Sequence, residues 1–132
     1  MTQPITGIWR LVAERATGPD GQPAAPRFGA EGQGLVQFWQ TAPGQGRMMA
    51  VLVDNRATTP PGAARDYNSY CGAWSFDGQT LTTKVDAALP ALMGTDQVRQ
   101  VRWEGARLVL SPPPLQRAGT AINRELVWER VG

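Results

Sequence analysis

Turn residues cut this chain into eight short segments, and the connections between them alternate strictly between long and short. The segments are Gly7–Arg15, Gly34–Gln40, Arg47–Asp54, Tyr70–Phe76, Thr80–Ala87, Gln97–Trp103, Ala106–Ser111 and Ala121–Val131. Each is rich in Val, Leu, Thr or Trp and alternates with period two, which predicts strands. The second, fourth and sixth connections are "TAPGQG", "DGQ" and "EG", the composition of hairpin loops. The first, third, fifth and seventh are longer: Ala16–Gln33, Asn55–Ser69, Ala88–Asp96 and Pro112–Thr120. In an up-and-down meander the odd connections gather at one end and the even ones at the other. One end is then closed by tight turns and the other ringed by long loops. Eight strands closing on themselves make a small barrel that can hold one ligand. A flat sandwich also uses eight strands, but it leaves the alternation unexplained. The expected fold is all-β: an eight-stranded antiparallel up-and-down barrel with at most a short helical turn, for which "PPGAARDYNSY" has room.

Composition limits the partners. The 132 residues allow one domain, 1–132, and 42% apolar residues argue against disorder. Thirteen cationic side chains are scattered singly and the net charge is only +2, so nucleic acid is not an expected partner. No apolar run approaches the roughly 20 residues of a membrane-spanning helix. The opening "MTQPITGIW" lacks the pattern of a secretory leader. Cys71 is the single cysteine, which fits a reducing compartment. A soluble, cytoplasmic protein is expected.

The two ends of the chain match. "TGIWRLVAER" and "NRELVWERVG" each carry a tryptophan near an arginine. In a closed barrel the first and last strands are antiparallel neighbours. If Trp9, Leu11 and Ala13 face inward, then Arg124, Leu126, Trp128 and Arg130 form the matching inner face, with Glu125 and Glu129 left in water. Arg130 stacked on Trp9 then closes the barrel floor through a cation–π contact.

The pieces "GIWRLV", "GRMMAVLV", "YNSYCGAWSFDG", "MGTDQVRQ" and "LVWERV", in that order, resemble the bacterial lipocalin-like domain family of calycin-type barrels. The resemblance implies an eight-stranded barrel with an internal cavity; some members are associated with the making of small natural products. It also implies paired histidines on the fifth strand. Here Thr83 and Lys84 stand in that place, the acidic residue that follows is Asp86, and the chain has no histidine.

Strand direction ranks the inner faces by depth. Arg99, Arg124 and Tyr70 fall near the mouth, with Val101, Trp103, Trp74 and Leu126 deeper. The fifth strand offers Leu81, Thr83, Val85 and Ala87. Leu89, Leu92 and Met93 of "ALPALMGTD" are expected to fold over the opening. The expected ligand contacts are Tyr70, Trp74, Val85, Leu92, Met93, Arg99, Val101, Arg124 and Leu126. The aromatic faces serve equally as plain core, and the two arginines equally as partners of Asp86 and Asp96. An apolar cup with cations at its rim suits a small hydrophobic molecule, including one that bears a carboxylate. No cofactor, metal site or membrane partner is expected, and no catalytic residue is assigned. Two alternatives stand beside binding. One is a cyclase or isomerase for a polyketide- or terpenoid-like metabolite, with Tyr67, Tyr70, Lys84 and Asp86 as acid–base candidates. The other is a non-catalytic module that forms a homodimer.

Overall fold

The computed structural model describes residues 4–132; residues 1–3, where the stretch read above for a leader begins, lie outside them. The described residues form β1 (Gly7–Thr17), β2 (Gly32–Ala42), β3 (Gln45–Asp54), β4 (Tyr67–Phe76), β5 (Thr80–Ala88), β6 (Asp96–Glu104), β7 (Arg107–Ser111), β8 (Leu115–Arg117) and β9 (Thr120–Arg130). Each strand from β1 to β6 pairs antiparallel with the next, β7 pairs with β9, and β9 pairs with β1. The result is a closed eight-stranded barrel. β8 is a short flap outside the ring, paired only to the start of β9.

The flap departs from the expected eight strands. Its turn, Ala118–Gly119, holds both residues at positive φ (50° and 78°), the backbone twist that suits a two-residue hairpin. A three-residue strand is too short to show alternation in sequence. The second connection is also tighter than expected. The strands run on to Ala42 and from Gln45, leaving a two-residue loop whose Gly44 sits at φ 72°. No helix forms in "PPGAARDYNSY". One turn closes there, from Ala63 N–H to Pro60 C=O, and the chain is then drawn into β4 as Asp54 N–H bonds Asp66 C=O. The one helical turn among the described residues is the 3-10 turn Pro90–Leu92.

Two bulges set which residues face inward. Along β1–β9 the register runs Trp9↔Arg130 and Leu11↔Trp128, then shifts so that Ala13 opposes Val127 and Glu14 opposes Leu126. Val12 is the extra residue. The shift turns Ala13 outward and brings Glu14 inside, against the sequence expectation. On β5, Gly72 opposes Val85 while Cys71 opposes Ala87, so Asp86 is the extra residue and Ala88, not Ala87, joins the inner face beside Tyr70.

The core fills the floor half of the barrel. Trp9, Phe38, Trp74, Leu108 and Trp128 are all buried, with Trp103 packed against them. Trp9 and Trp103 lie 5.9 Å apart between ring centroids, and Phe38 meets Trp74 edge-on at 6.0 Å. The Arg130 guanidinium carbon sits 4.3 Å from the Trp9 ring centroid, and its Nη atoms donate to the Thr6 and Pro4 carbonyls. Gly7, at φ 127°, leaves room for that arginine: a Cβ there would lie 2.3 Å from Arg130 Nη1.

On the outer wall, Val109 and Val127 are fully buried although they point away from the core. An ionic lattice stands over them. Arg15 donates to Glu104 at 2.7 and 2.9 Å, while Arg102 reaches Glu104 at 2.7 Å and Glu125 at 2.6 Å. Hydrogen bonds from Arg15 and then Arg102 hold the Glu104 carboxyl down at about 2. A depressed carboxylate stabilises the fold fully above its unfolded value near 4.3 and loses that contribution as pH falls towards 2. Urea midpoints measured across this window should therefore fall with pH in the wild type and fall less steeply in Glu104→Gln. Parallel acid limbs for the two proteins would refute this assignment.

Candidate functional site

The long connections surround one end, and beneath them the barrel opens into a small chamber of about 50 Å³. Its wall is apolar on Val36, Phe38, Met48, Leu52, Leu81, Leu110, Leu126 and Trp128. Above it lies a wider funnel of about 350 Å³, edged by Tyr67, Leu89, Ala91, Leu92 and Pro113–Leu115. Arg27, Asn68, Arg99, Pro112 and Arg124 line both spaces and so form the waist between them. The chamber is much smaller than the roughly 300–1,000 Å³ of a pocket that swallows a drug-sized ligand. The reason is the aromatic floor: large rings occupy the half of the barrel in which the sequence allowed for open space.

Three guanidinium groups meet at the waist, each held differently. Arg124 is 8% exposed; its Nε donates to Glu14 Oε2 at 2.8 Å, and Glu14 is 3% exposed. Its two Nη atoms have no protein acceptor among the described residues. Arg99 lies opposite Leu81 on the inner face and donates to Val98 C=O and Gln97 Oε1, with no carboxylate partner. Arg27 Nε stands 3.6 Å from Asp66. Three cations therefore face two carboxylates, a local surplus of positive charge in a partly dry site. Asn68, Tyr70 and Thr83 also line the chamber, and their side chains make no hydrogen bond to the described protein.

Glu14 does more than neutralise Arg124. Its carboxylate also accepts the backbone N–H of Arg27 at 2.9 Å and of Phe28 at 3.0 Å. That pins the connection 18–31 across the mouth and drives Phe28, 1% exposed, into the chamber wall. The first long connection is thus a fixed part of the site, secured as well by Arg117 Nη1 on Ala25 C=O.

The closed ring, the single mouth and the chamber beneath it are the architecture of a ligand-carrying barrel. The sequence profile of the lipocalin-like domain matches residues 6–131. This chain belongs to the lipocalin-like domain family. No curated protein and no solved structure gives a match. A lipocalin-like barrel is in general a small-molecule-binding architecture, and no helix among the described residues is long and apolar enough to cross a membrane.

Within this lipocalin-like barrel the residues named from sequence separate into groups. Tyr70, Arg99, Arg124 and Leu126 line the chamber, and Leu92 lines the funnel. Trp74 lies in the floor, its Nε1 bonded to Arg47 C=O at 2.9 Å and Trp39 C=O at 3.2 Å, and does not reach the chamber. Val85 is buried in the wall and Val101 packs on the core, both outside the chamber lining. Met93 is 47% exposed beyond the 3-10 turn and does not edge the mouth, whereas Leu89, Ala91 and Leu92 of the same connection do.

The alternative pairing of Arg99 and Arg124 with Asp86 and Asp96 does not form: Arg124 pairs with Glu14 and Arg99 with no carboxylate. Asp86, set outward at the β5 bulge, forms a two-pronged pair with Arg47 at 2.5 and 2.8 Å, and that arginine lowers its carboxyl pKa. Lys84 is exposed on the same wall. Of the acid–base candidates, Tyr70 alone lines the chamber and Tyr67 the funnel. Asp54, at the end of β3, is 3% exposed and pairs with Arg56 at 3.0 Å. Among the described residues no cluster of Cys, Asp or Glu is placed to hold a metal ion.

Sequence reasoning missed Glu14, Arg27, Asn68 and Trp128 as site residues. Trp128 and Asn68 follow from the same alternation that placed Leu126 and Tyr70. Glu14 does not, because only the bulge turns it inward.

Proposed function

We propose that the barrel binds a small, mostly apolar molecule bearing a carboxylate or similar oxyanion. On this reading the anion sits at the arginine waist, one end of the ligand enters the chamber, and the remainder lies in the funnel. The observation that carries the reading is the waist itself: Arg99 without a carboxylate partner and Arg124 with both Nη atoms unclaimed, between two apolar spaces. Charge-assisted hydrogen bonds from a planar guanidinium favour an oxyanion over a neutral head group.

Quenching of the intrinsic tryptophan fluorescence by paired straight-chain carboxylates and alcohols of equal length tests it. Carboxylates should bind more tightly than their alcohols, and Arg99→Gln should weaken the carboxylates roughly tenfold while barely moving the alcohols, as expected for loss of a charged hydrogen bond. If Arg99→Gln leaves the carboxylate-to-alcohol ratio unchanged, or if neither series binds, the reading fails. Support for the dimer alternative comes from the outer wall, where Leu35, Met49 and Val51 stand exposed at neighbouring positions of β2 and β3. That surface lies on the opposite face of the wall from the chamber, so self-association through it is compatible with ligand binding.

A further inference from the structure

We propose that the Trp128 indole N–H is a second, inner recognition point, and that the preferred ligand is an oxoacid: an oxyanion at the waist and, a few bonds inward, a carbonyl oxygen that accepts from Nε1. The inference rests on the oxyanion reading above and adds the chemistry of the ligand's other end.

Trp128 is 2% exposed and lines the chamber, and its Nε1 is buried without an acceptor. It is the one buried side-chain nitrogen or oxygen among the described residues in that state. The other two buried indoles are satisfied: Trp9 donates to Ile5 C=O at 2.8 Å, and Trp74 donates to two carbonyls. Native proteins rarely leave a buried donor unpaired, because the group loses its bond to water and gains nothing in return.

The ring is confined. On β9 Trp128 lies between Leu11 of β1 and Leu108 of β7, and its far edge reaches β2. A Cβ on Gly34 would stand 3.3 Å from Trp128 Cη2, so the missing side chain at 34 is what accommodates the indole. The chamber wall that it shares is hydrocarbon from Val36, Phe38 and Leu126.

These features select for a particular ligand end. An alkyl terminus pushed into the chamber would seal the N–H away from any acceptor. A carbonyl oxygen would satisfy it, and a chamber of about 50 Å³ limits the group to something as small as an acetyl. Discrimination of this kind is strong because the binding site itself is left unpaired when the wrong ligand enters.

The test uses levulinate and its next three homologues, which carry a methyl ketone at one end and a carboxylate at the other, against the parent straight-chain acids. Binding is followed by fluorescence and by the indole N–H signals of nitrogen-15-labelled protein. The Trp128 signal is assigned by its absence in Trp128→Phe or, in the wild type, by linking the indole resonances to the sequentially assigned backbone of residue 128. At least one oxoacid should bind roughly tenfold more tightly than its parent acid, with a downfield shift of the Trp128 indole proton. Trp128→Phe should erase that preference, while Arg99→Gln weakens both series. Equal binding of oxoacids and parents with the Arg99 dependence intact overturns the Trp128 proposal and leaves the oxyanion reading standing. A Trp128 signal unmoved at saturation overturns it as well, without any variant. If neither series binds, both readings fall.

Discussion

Replacing Glu14 by alanine should cost this barrel about 3–5 kcal/mol, the range for removing one partner of a buried ion pair. The size follows from what remains behind. Arg124 is 8% exposed and loses its carboxylate, so a charge stays in the wall with no counterion. The backbone N–H groups of Arg27 and Phe28 lose their acceptor in the same step. Two further variants separate these effects. Glu14→Gln keeps an acceptor for the backbone but removes the charge, and should lie between wild type and alanine. The pair Glu14→Leu with Arg124→Met removes both charges, and should lose less than Glu14→Ala alone, since an apolar pair often replaces a buried ionic one at little cost. Urea unfolding of the three proteins provides the measurement. Amide exchange adds a local readout, because residues 18–31 should lose protection before the strands do. A loss below about 1 kcal/mol for Glu14→Ala would put the pair in the class of solvent-exposed salt bridges and contradict its burial.

Glu14 also marks the boundary of what the sequence could tell. Strand positions, the closed ring and the meeting of the termini were legible because they depend on period-two alternation and on connection lengths, which are local. Inner-face positions were legible wherever a strand runs without interruption. On β9 and β6 the count placed Arg124 and Arg99 near the mouth directly. A bulge has no such local signature. "WRLVAER" alternates smoothly, and leaving Glu14 in water is the ordinary preference of a carboxylate. The register of β1 against β9 decides otherwise, with Val12 as the extra residue. Asp86 gives the converse: the family resemblance suggests an acid for the cavity, but alternation along β5 already points it outward, where it pairs with Arg47, and the bulge changes only the next inner position, from Ala87 to Ala88. The β8 flap was hidden because Ala-Gly is a weak turn signal and three residues cannot show a period.

Cavity size was hidden for a different reason. Alternation says which side chains point inward but not how much space they leave. Trp9, Trp74, Trp103 and Trp128 all project inward, and only their packing shows that they fill the floor half and confine the free volume to the mouth. The same packing keeps Trp74 away from any ligand and brings Trp128 to the chamber wall. A tryptophan on an inner face can therefore serve as floor or as ligand contact, and its depth along the strand decides which.

The largest effect outside the mouth is expected at Trp9. Trp9→Ala should destabilise the protein by about 3–5 kcal/mol, as for other buried aromatic truncations. For a domain of this length that corresponds to a fall in Tm of roughly 10–20 °C. Trp9 is fully buried, donates to Ile5 C=O, packs on Trp103 and carries Arg130 on its outer face. Arg130→Ala should cost far less, about 0.5–2 kcal/mol, because the guanidinium is exposed and its main gain is the stack on the indole. The comparison matters because Trp9 and Arg130 are paired across the seam that closes the ring, joining positions near the two ends of the chain. Loss of the indole weakens the contact that must overcome the largest loop-closure entropy in the fold. A seam that opens presents β1 and β9 as free edges, which are templates for pairing with other chains. Trp9→Ala should therefore aggregate on heating at temperatures where Arg130→Ala unfolds reversibly, as followed by light scattering alongside circular dichroism. Equal and small losses for the two variants, with no difference in aggregation, would show that the barrel is held shut elsewhere.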